Sequence, residues 1–351
     1  MIVKCTQLEE NINHEGEKSF MKYVKLGNSG VDVSRICLGM MSFGKPGSEN
    51  GVFPWAMVFE DAKPLFKKAI ELGINFFDTA NVYQLGSSEE ITGKLIREFN
   101  LNRDEIVVAT KVNFEMRAGR PNGGGSSRKN IMTEIDHSLQ RLGLDYVDLY
   151  QIHRLDPFTP MEEIMEALHD VVKSGKARYI GACTMDAWQF ERLQNIAECH
   201  GWTKFITMQN QYNLIYREEE HEMMPLCLDR KVGVNPWSPL AGGRCAHPWG
   251  TQTARTKIDG VSPMVWTEKT AEQDKAVVDN LEKIAKENGR SMAQEALAWM
   301  LSKPFICSPV VGTTSVKHVE EAASAVEIKL SDDEIAALEA PYVAHTKQHA
   351  F

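Results

Sequence analysis

Eight short apolar runs separated by amphipathic stretches along a chain of 351 residues predict an α/β fold, a closed (β/α)8 TIM barrel with an N-terminal hairpin cap. The runs fall at residues 36–38, 76–77, 106–109, 147–152, 179–182, 205–208, 232–236 and 306–311. Two further observations favour this class. The stretches between runs start and stop where helix-capping chemistry allows, and three of the runs end in ionisable residues, as barrel strands do at their C-terminal ends.

Residues 1–20 are polar and charged and lack the apolar segment of a secretory signal, whereas Met21 directly precedes the first strand-like run. The first twenty residues are therefore expected to be an extension outside the fold, and residues 21–351 a single barrel domain. The stretch from Tyr23 to Val33 reads as a hairpin with Asn28-Ser29-Gly30 as its turn. Residues 61–72 read as a helix stopped by Gly73, and residues 161–173 as one stopped by Gly175. Ser87-Ser88-Glu89-Glu90 opens another, with a capping serine and early acids. Gly123-Gly124-Gly125-Ser126-Ser127 lacks Walker spacing and reads as a loop leading into a helix cap. After the seventh strand, residues 239–270 show no periodicity and predict a long loop over an active or cofactor site.

A composition of 43% hydrophobic and 25% charged residues is that of a globular chain. The net charge of -9, with no block of Lys and Arg, offers no general attraction to nucleic acid or to an anionic membrane. Seven cysteines without a Cys-x-x-Cys pair fit reduced thiols and a cytoplasmic protein. His221-Glu222-Met223-Met224 lacks the second histidine of a zincin, and no other set has ligand spacing, so no metal is expected. The absence of Gly-x-Gly-x-x-Gly behind an early strand disfavours a Rossmann site. Oligomeric state stays open.

The chemistry lies at the strand ends. Asp78-Thr79-Ala80-Asn81-Val82-Tyr83 follows one apolar run, Lys111 closes a second, and His153 closes a third. Singly, each has an ordinary role as a cap, a solvated strand end or a satisfied polar group. Together they describe proton transfer. A carbonyl that receives hydride develops negative charge on oxygen and needs a proton; Tyr83, with an ordinary pKa of about 10, is a reluctant donor near neutrality. The Lys111 ammonium would bring the phenol closer to that range, Asp78 would hold Lys111 charged, and His153 would donate to the substrate oxygen.

These pieces resemble the aldo-keto reductase superfamily from about residue 21 to residue 341, closest to its bacterial and fungal YajO-like branch. The resemblance is carried by Asn75-Phe76-Phe77-Asp78-Thr79-Ala80-Asn81-Val82-Tyr83, Gly86-Ser87-Ser88-Glu89-Glu90, Ala109-Thr110-Lys111, the segment from Arg141 to Asp148, Gln151-Ile152-His153, the segment from Gly175 to Gly181, Gln211-Tyr212-Asn213 and Pro236-Trp237-Ser238-Pro239-Leu240. It implies an NADP-dependent reductase of aldehydes or ketones with Tyr83 as general acid, tuned by Lys111 and Asp78, and His153 orienting the carbonyl.

The same resemblance implies that Gln209 binds the nicotinamide carboxamide and that Trp237 packs on the nicotinamide ring. Gly39, Met40 and Asp78 would lie along the cofactor. Backbone groups of Ser238, Pro239, Leu240 and Gly243 would hold the pyrophosphate, with Arg255 near the adenine. Gly312, Thr314, Ser315, Lys317, His318 and Glu321 would complete the adenosine end, where hydroxyls, a helix N-terminus and positive charge suit the 2′-phosphate of NADPH. Two departures bear on binding. Cys183-Thr184 stands where the family commonly has Ser-Asn, and Glu321-Ala322 where it has Glu-Asn, with His318 a candidate to compensate. Loops at residues 48–55, 114–125 and 249–266 supply Trp55, Phe114, Trp249 and Trp266 as aromatic walls beside Tyr83 and His153, suited to an apolar or aromatic carbonyl as partner. The alternative is an NADPH-binding, redox-reporting regulatory subunit, similar to potassium-channel β subunits.

Overall fold

The structure is a computed structural model and describes residues 21–47, 53–253, 257–258 and 270–345. The expected extension at residues 1–20 and the predicted site residues Arg255 and Trp266 lie outside the described residues.

Strands β1 (Tyr23–Lys25) and β2 (Asp32–Ser34) form the expected antiparallel hairpin, with Tyr23 opposite Ser34. The reversal is wider than its three predicted turn residues, since the Leu26 amide donates to the Val31 carbonyl. Gly27 carries the tight point. Its φ is +58°, and a Cβ there would stand 2.1 Å from the Ile206 carbonyl oxygen. The hairpin thus presses its backbone directly onto the barrel.

The barrel sheet follows as β3 (Cys37–Gly39), β4 (Phe76–Asp78), β5 (Val107–Val112), β6 (Val147–Ile152), β7 (Ala177–Cys183), β8 (Phe205–Gln209), β9 (Gly233–Val234) and β10 (Val310–Gly312). All are parallel, in the order β10-β3-β4-β5-β6-β7-β8-β9. A parallel bridge between Val234 and Ile306, and the Val310 amide donating to the Pro236 carbonyl, join the two ends and close the sheet. β9 is shorter than the predicted 232–236, and the predicted run 306–311 contributes a regular ladder only from Val310. Pro236 and Pro309 lack the amide a ladder needs, so hydrogen bonding there is reduced to single contacts.

Helices α1 (Phe59–Glu71), α2 (Ser87–Glu98), α3 (Arg128–Leu142), α4 (Met161–Lys173), α5 (Ala187–His200), α6 (Met223–Arg230), α7 (Ala271–Glu287), α8 (Met292–Leu301), α9 (Val316–Ser324) and α10 (Asp332–Glu339) surround the sheet. α4 has the bounds that the apolar spacing predicts, and the glycine stops of α1 and α4 take left-handed φ at Gly73 and Gly175. Ser127 caps α3 by accepting from the Asn130 amide. The serines of α2 do otherwise. Gly86 is its N-cap with no side-chain cap, while Ser88 Oγ donates to the Met40 carbonyl and Ser87 Oγ to the Gln84 carbonyl. Glu89, expected to face the helix dipole, is buried and accepts from Arg141 at 2.6 Å and Thr110 at 2.5 Å.

Side-chain alternation divides the buried residues in two. Phe76, Val107, Ala109 and Leu149 join the hairpin residues Leu26 and Val33 in one cluster, whereas Phe77, Val108 and Tyr150 belong to the larger cluster packed with the helices. Two residues beyond the first set on each strand come Asp78, Lys111 and Gln151, so the same alternation that fills the barrel with apolar side chains ends it with polar ones.

Helix α2 meets α3 at Gly93, where a Cβ would lie 1.7 Å from the Leu142 carbonyl oxygen. Gly93→Ala is expected to destabilise the fold by at least about 1–3 kcal/mol through overpacking. Gly30→Ala, which meets nothing within 4 Å, should change the thermal midpoint far less. Thermal denaturation of the two variants checks this, and equal midpoints would contradict the close approach.

Candidate active site

Asp78 is the last residue of β4 and lies in register with Ala109, so Lys111 is displaced one side-chain repeat further along β5. Both are buried. Lys111 Nζ donates to Asp78 Oδ2 at 2.5 Å and to the Thr79 carbonyl at 2.8 Å. The other oxygen, Asp78 Oδ1, accepts from Gln151 Nε2 at 2.9 Å and Gln209 Nε2 at 3.1 Å. Side chains from three other strands thus converge on the one carboxylate of β4.

Tyr83 reaches this pair through an unusual turn. After β4 the chain follows β5 through the Asn81 amide, which donates to the Lys111 carbonyl, and then folds into a 3-10 turn at Tyr83–Gly86. Gln84 and Leu85 take left-handed φ of 47° and 49° there. Gln84 Nε2 donates to the Met41 carbonyl at 2.8 Å and holds the turn. The result sets Tyr83 Oη 3.4 Å from Lys111 Nζ, and the Tyr83 ring meets the His153 ring edge-on at 5.7 Å. Phe114 packs edge-on against the other partner of this contact, His153, at 4.7 Å.

The electrostatics differ in one respect from the expectation. Burial raises the Tyr83 phenol above its ordinary value; Lys111 pulls it down, Asp78 and Cys183 push it up, and the net shift is upward. The ammonium therefore tempers the cost of burial without bringing the phenol below its ordinary range. For Lys111, burial disfavours the charge, but Asp78, Tyr83 and Cys183 outweigh it and the net shift is upward. His153 is pushed well below its ordinary value by burial, then by Lys111 and Arg154, which makes it a neutral imidazole near neutrality. Its Nδ1 is buried without a hydrogen-bond partner among the described residues.

These groups open onto a cavity of about 1340 Å³. Asp78, Tyr83 and His153 line it, and so do Trp55, Phe114 and Trp249 of the predicted aromatic walls. Among the predicted cofactor residues, Gly39, Cys183, Gln209, Trp237, Ser238, Pro239, Leu240, Gly243, Gly312, Thr314, His318 and Glu321 also line it. Met40, Thr184, Ser315 and Lys317 do not. Met40 is fully buried while its neighbour Met41 faces the cavity, and Lys317 is exposed with its ammonium 3.8 Å from Glu321. Thr184 acts at one remove, its hydroxyl accepting from Trp237 Nε1 at 2.9 Å and fixing the indole. Cys183 lies beside Gln151 Oε1, and burial pushes its thiol up to about 12.

A dinucleotide fits the residues present. Ser238, Ala241, Gly242 and Gly243 take φ of 53°, 52°, 65° and 101°, an irregular left-handed turn in which the Ala241 and Gly243 amides donate to the Ser238 and Leu240 carbonyls. Asn213 Nδ2 donates to the Ser238 carbonyl at 3.0 Å and braces it. At Gly243 a Cβ would meet nothing within 4 Å, and at Gly312 only Gly39 O at 4.0 Å, leaving bare backbone along the cavity. Arg244, His247 and Lys257 also line the cavity, and burial pushes His247 below its ordinary value towards the neutral form.

Sequence reasoning gave no role to Gln151, Asn213, Arg154, Arg244 or His247. The first was legible, because it continues the inward alternation of Leu149. The others stand in loops, where no periodicity marks direction.

With this geometry in view, comparison with known proteins is decisive: the Aldo/keto reductase family matches residues 35–342. The chain belongs to that family. It is similar to the versiconal hemiacetal acetate reductase of Aspergillus parasiticus, 45% identical over 340 residues that cover 92% of this chain and 97% of that protein. An aldo-keto reductase of Fusarium vanettenii is 37% identical, covering 97% of this chain and 96% of its own length. The aldo-keto reductase AFTS1 of Alternaria alternata is 39% identical, covering 93% of each. This aldo-keto reductase is therefore an oxidoreductase of carbonyl chemistry, from a family that uses nicotinamide cofactors.

The buried Lys111–Asp78 pair makes a stability prediction. Lys111→Met leaves a buried carboxylate without its cation and is expected to cost about 3–5 kcal/mol. Adding Asp78→Asn in the same chain should recover part of that loss. Denaturant unfolding of the single and double variants measures both, and a double variant less stable than Lys111→Met would contradict the coupling.

Proposed function

We propose that this protein is an NADPH-dependent reductase of aldehydes or ketones, with Tyr83 as the general acid. The observation that carries the reading is the shared contact of Tyr83 Oη with Lys111 Nζ at 3.4 Å beside a neutral His153, at the inner end of an aromatic-lined cavity. A bound reduced nicotinamide would supply hydride to the carbonyl carbon. Tyr83 holds a proton at Oη, protonated through neutrality because burial raises it. Lys111 stabilises the phenolate left when that proton moves to the substrate oxygen, and Asp78 keeps Lys111 charged and aimed. A neutral His153 donates to the same oxygen without competing for the proton. Trp55, Phe114 and Trp249 exclude water and suit an apolar or aromatic carbonyl. Residues 21–351 act as one domain on a small-molecule partner in the cytoplasm.

Tyr83→Phe should lower kcat by roughly 10²–10⁴-fold while leaving NADPH affinity nearly unchanged, since the hydroxyl acts on the transition state. Tyr150→Phe is the control, because Tyr150 Oη is buried against the Ile131 carbonyl at 3.2 Å, away from the cavity. Cofactor oxidation across a panel of carbonyl compounds measures both. Near-wild-type turnover in Tyr83→Phe would remove the proposed acid, and tight NADPH binding with no turnover on any compound in the wild type would favour a regulatory role instead.

NADPH is preferred over NADH because its 2′-phosphate calls for local donors and charge on an otherwise acidic chain. Thr314 and His318 face the cavity, His318 Nδ1 is 3.2 Å from Thr313 Oγ1, and Lys257 also lines the cavity. Arg255→Ala is expected to weaken NADPH binding more than NADH binding. Titrations of both cofactors on both proteins test this; equal affinities in the wild type would exclude a phosphate subsite.

A further inference from the structure

Gln151 is fully buried on β6, in register with Lys111 of β5 on one side and Gly181 of β7 on the other. A side chain at position 181 would crowd it, since a Cβ there would stand 2.2 Å from Thr207 Oγ1 and 3.1 Å from Gln151 Cγ. The glycine leaves room for the long amide beside it. Chemistry fixes which way that amide points. A carboxylate only accepts, so Asp78 Oδ1 takes the Nε2 donor at 2.9 Å, while Oε1 meets Cys183 Sγ at 3.9 Å. Burial keeps the Cys183 thiol protonated, and a protonated thiol is a donor to that oxygen. Both ends of the amide are thus held. Gln209 donates to the same Asp78 oxygen at 3.1 Å, but it also lines the cavity and is open to a ligand, whereas Gln151 does not line it.

We propose that Gln151 is a positioning residue for proton transfer, a buried amide that keeps Asp78 aimed at Lys111 and draws the carboxylate's charge away from Tyr83. This rests on the carbonyl-reductase reading above and extends it to a residue behind the cavity wall. The two oxygens of Asp78 have different tasks. Oδ2 binds the ammonium, and Oδ1, if left bare at this depth, would turn toward Lys111 or push harder on the phenol. Asp78 already pushes Tyr83 upward, against the downward pull of Lys111. An amide dipole whose positive end faces Oδ1 lessens that push, so the phenolate left by proton donation costs less. Cys37 and Cys183, which also feel Asp78, are thiols held protonated by burial and leave its charge to Lys111 and the two amides.

The test compares Gln151→Met, which keeps the length and loses the donor, with Gln151→Glu, which keeps the shape. Two carboxyl groups at this spacing cannot both ionise, so the side chain introduced by Gln151→Glu carries a proton it can donate to Asp78. With NADPH and the most active compound of the carbonyl panel, Gln151→Met is expected to lower kcat roughly tenfold, the worth of a hydrogen bond to a charged group, with KM and NADPH affinity within about twofold of wild type. The solvent deuterium isotope effect on kcat should rise, and Gln151→Glu should recover most of the lost rate. A merely structural role would lower kcat, substrate affinity and cofactor affinity together without that rise, and this pattern would overturn the proposal, as would wild-type kcat in Gln151→Met. Denaturant unfolding gives a readout independent of turnover. Gln151→Met should lower the unfolding midpoint about twice as much in the wild type as in the Lys111→Met/Asp78→Asn background, where the acceptor is neutral. Equal losses in the two backgrounds would mean an amide that only packs, and would also overturn the proposal. If the wild type reduces no carbonyl compound, the reductase reading fails, and the unfolding comparison alone decides whether Gln151 positions the Asp78 charge. Gln151→Leu serves in place of Gln151→Met should the latter not fold.

Discussion

The ion pair between Lys111 and Asp78 is the constraint on which the rest of the site depends. Two opposite charges with almost no exposure are costly to desolvate, and they persist only where hydrogen bonds satisfy what the pair leaves over. Here the surplus is consumed in full view. Lys111 reaches the Thr79 carbonyl, and the second oxygen of Asp78 accepts from Gln151 and Gln209. Because these partners come from β4, β5, β6 and β8, an electrostatic requirement at one carboxylate fixes the mutual register of half the barrel. Tyr83 and His153 then inherit their positions from that fixed centre, the first through its distance to Lys111 and the second through the ring contact with Tyr83.

Most of the barrel was legible because parallel strands buried on both faces read as apolar runs, and because glycine marks helix ends by a conformation other residues rarely adopt. α4 needed nothing more than apolar spacing and Gly175. The seventh and eighth strands were read too long because apolar character persists where hydrogen bonding does not, and only the position of proline foretells the difference. The capping reading of Ser87 and Ser88 failed for a related reason. A serine before an acidic pair has the right chemistry for a cap, but Gly86 already turns the chain, and the hydroxyls are drawn into ties with the segments around Met40 and Gln84.

At the site, the identity of the four central groups came from strand endings, but their distances came from features that carry no sequence periodicity. The left-handed pair Gln84 and Leu85 is the clearest case. Neither is a residue that favours positive φ, so the turn that delivers Tyr83 is held by tertiary contacts, among them the Gln84 side chain on Met41. The same limit hid Arg154. It directly follows His153, yet nothing in a linear pattern says whether the residue after a strand end turns into a cavity or out to solvent.

The division of labour between strands and loops follows from these contrasts. The groups at the centre of the site must hold their spacing to fractions of an ångström; Asp78 and Lys111 stand on strands locked by their buried charge pair, and the turn carrying Tyr83 is held beside them. Groups that select a ligand need only line a volume, and they stand on loops braced singly, as Trp237 is by Thr184 and Ser238 by Asn213. Thr184 illustrates how freely the second set can change. Where the resemblance gives asparagine, this chain places a hydroxyl under the indole nitrogen, so an amide proposed to face the cofactor is exchanged for a brace on the Trp237 wall. Such an exchange leaves the proton-transfer centre untouched, because none of its hydrogen bonds passes through Thr184, and that separation is what lets binding diverge within a fixed chemistry.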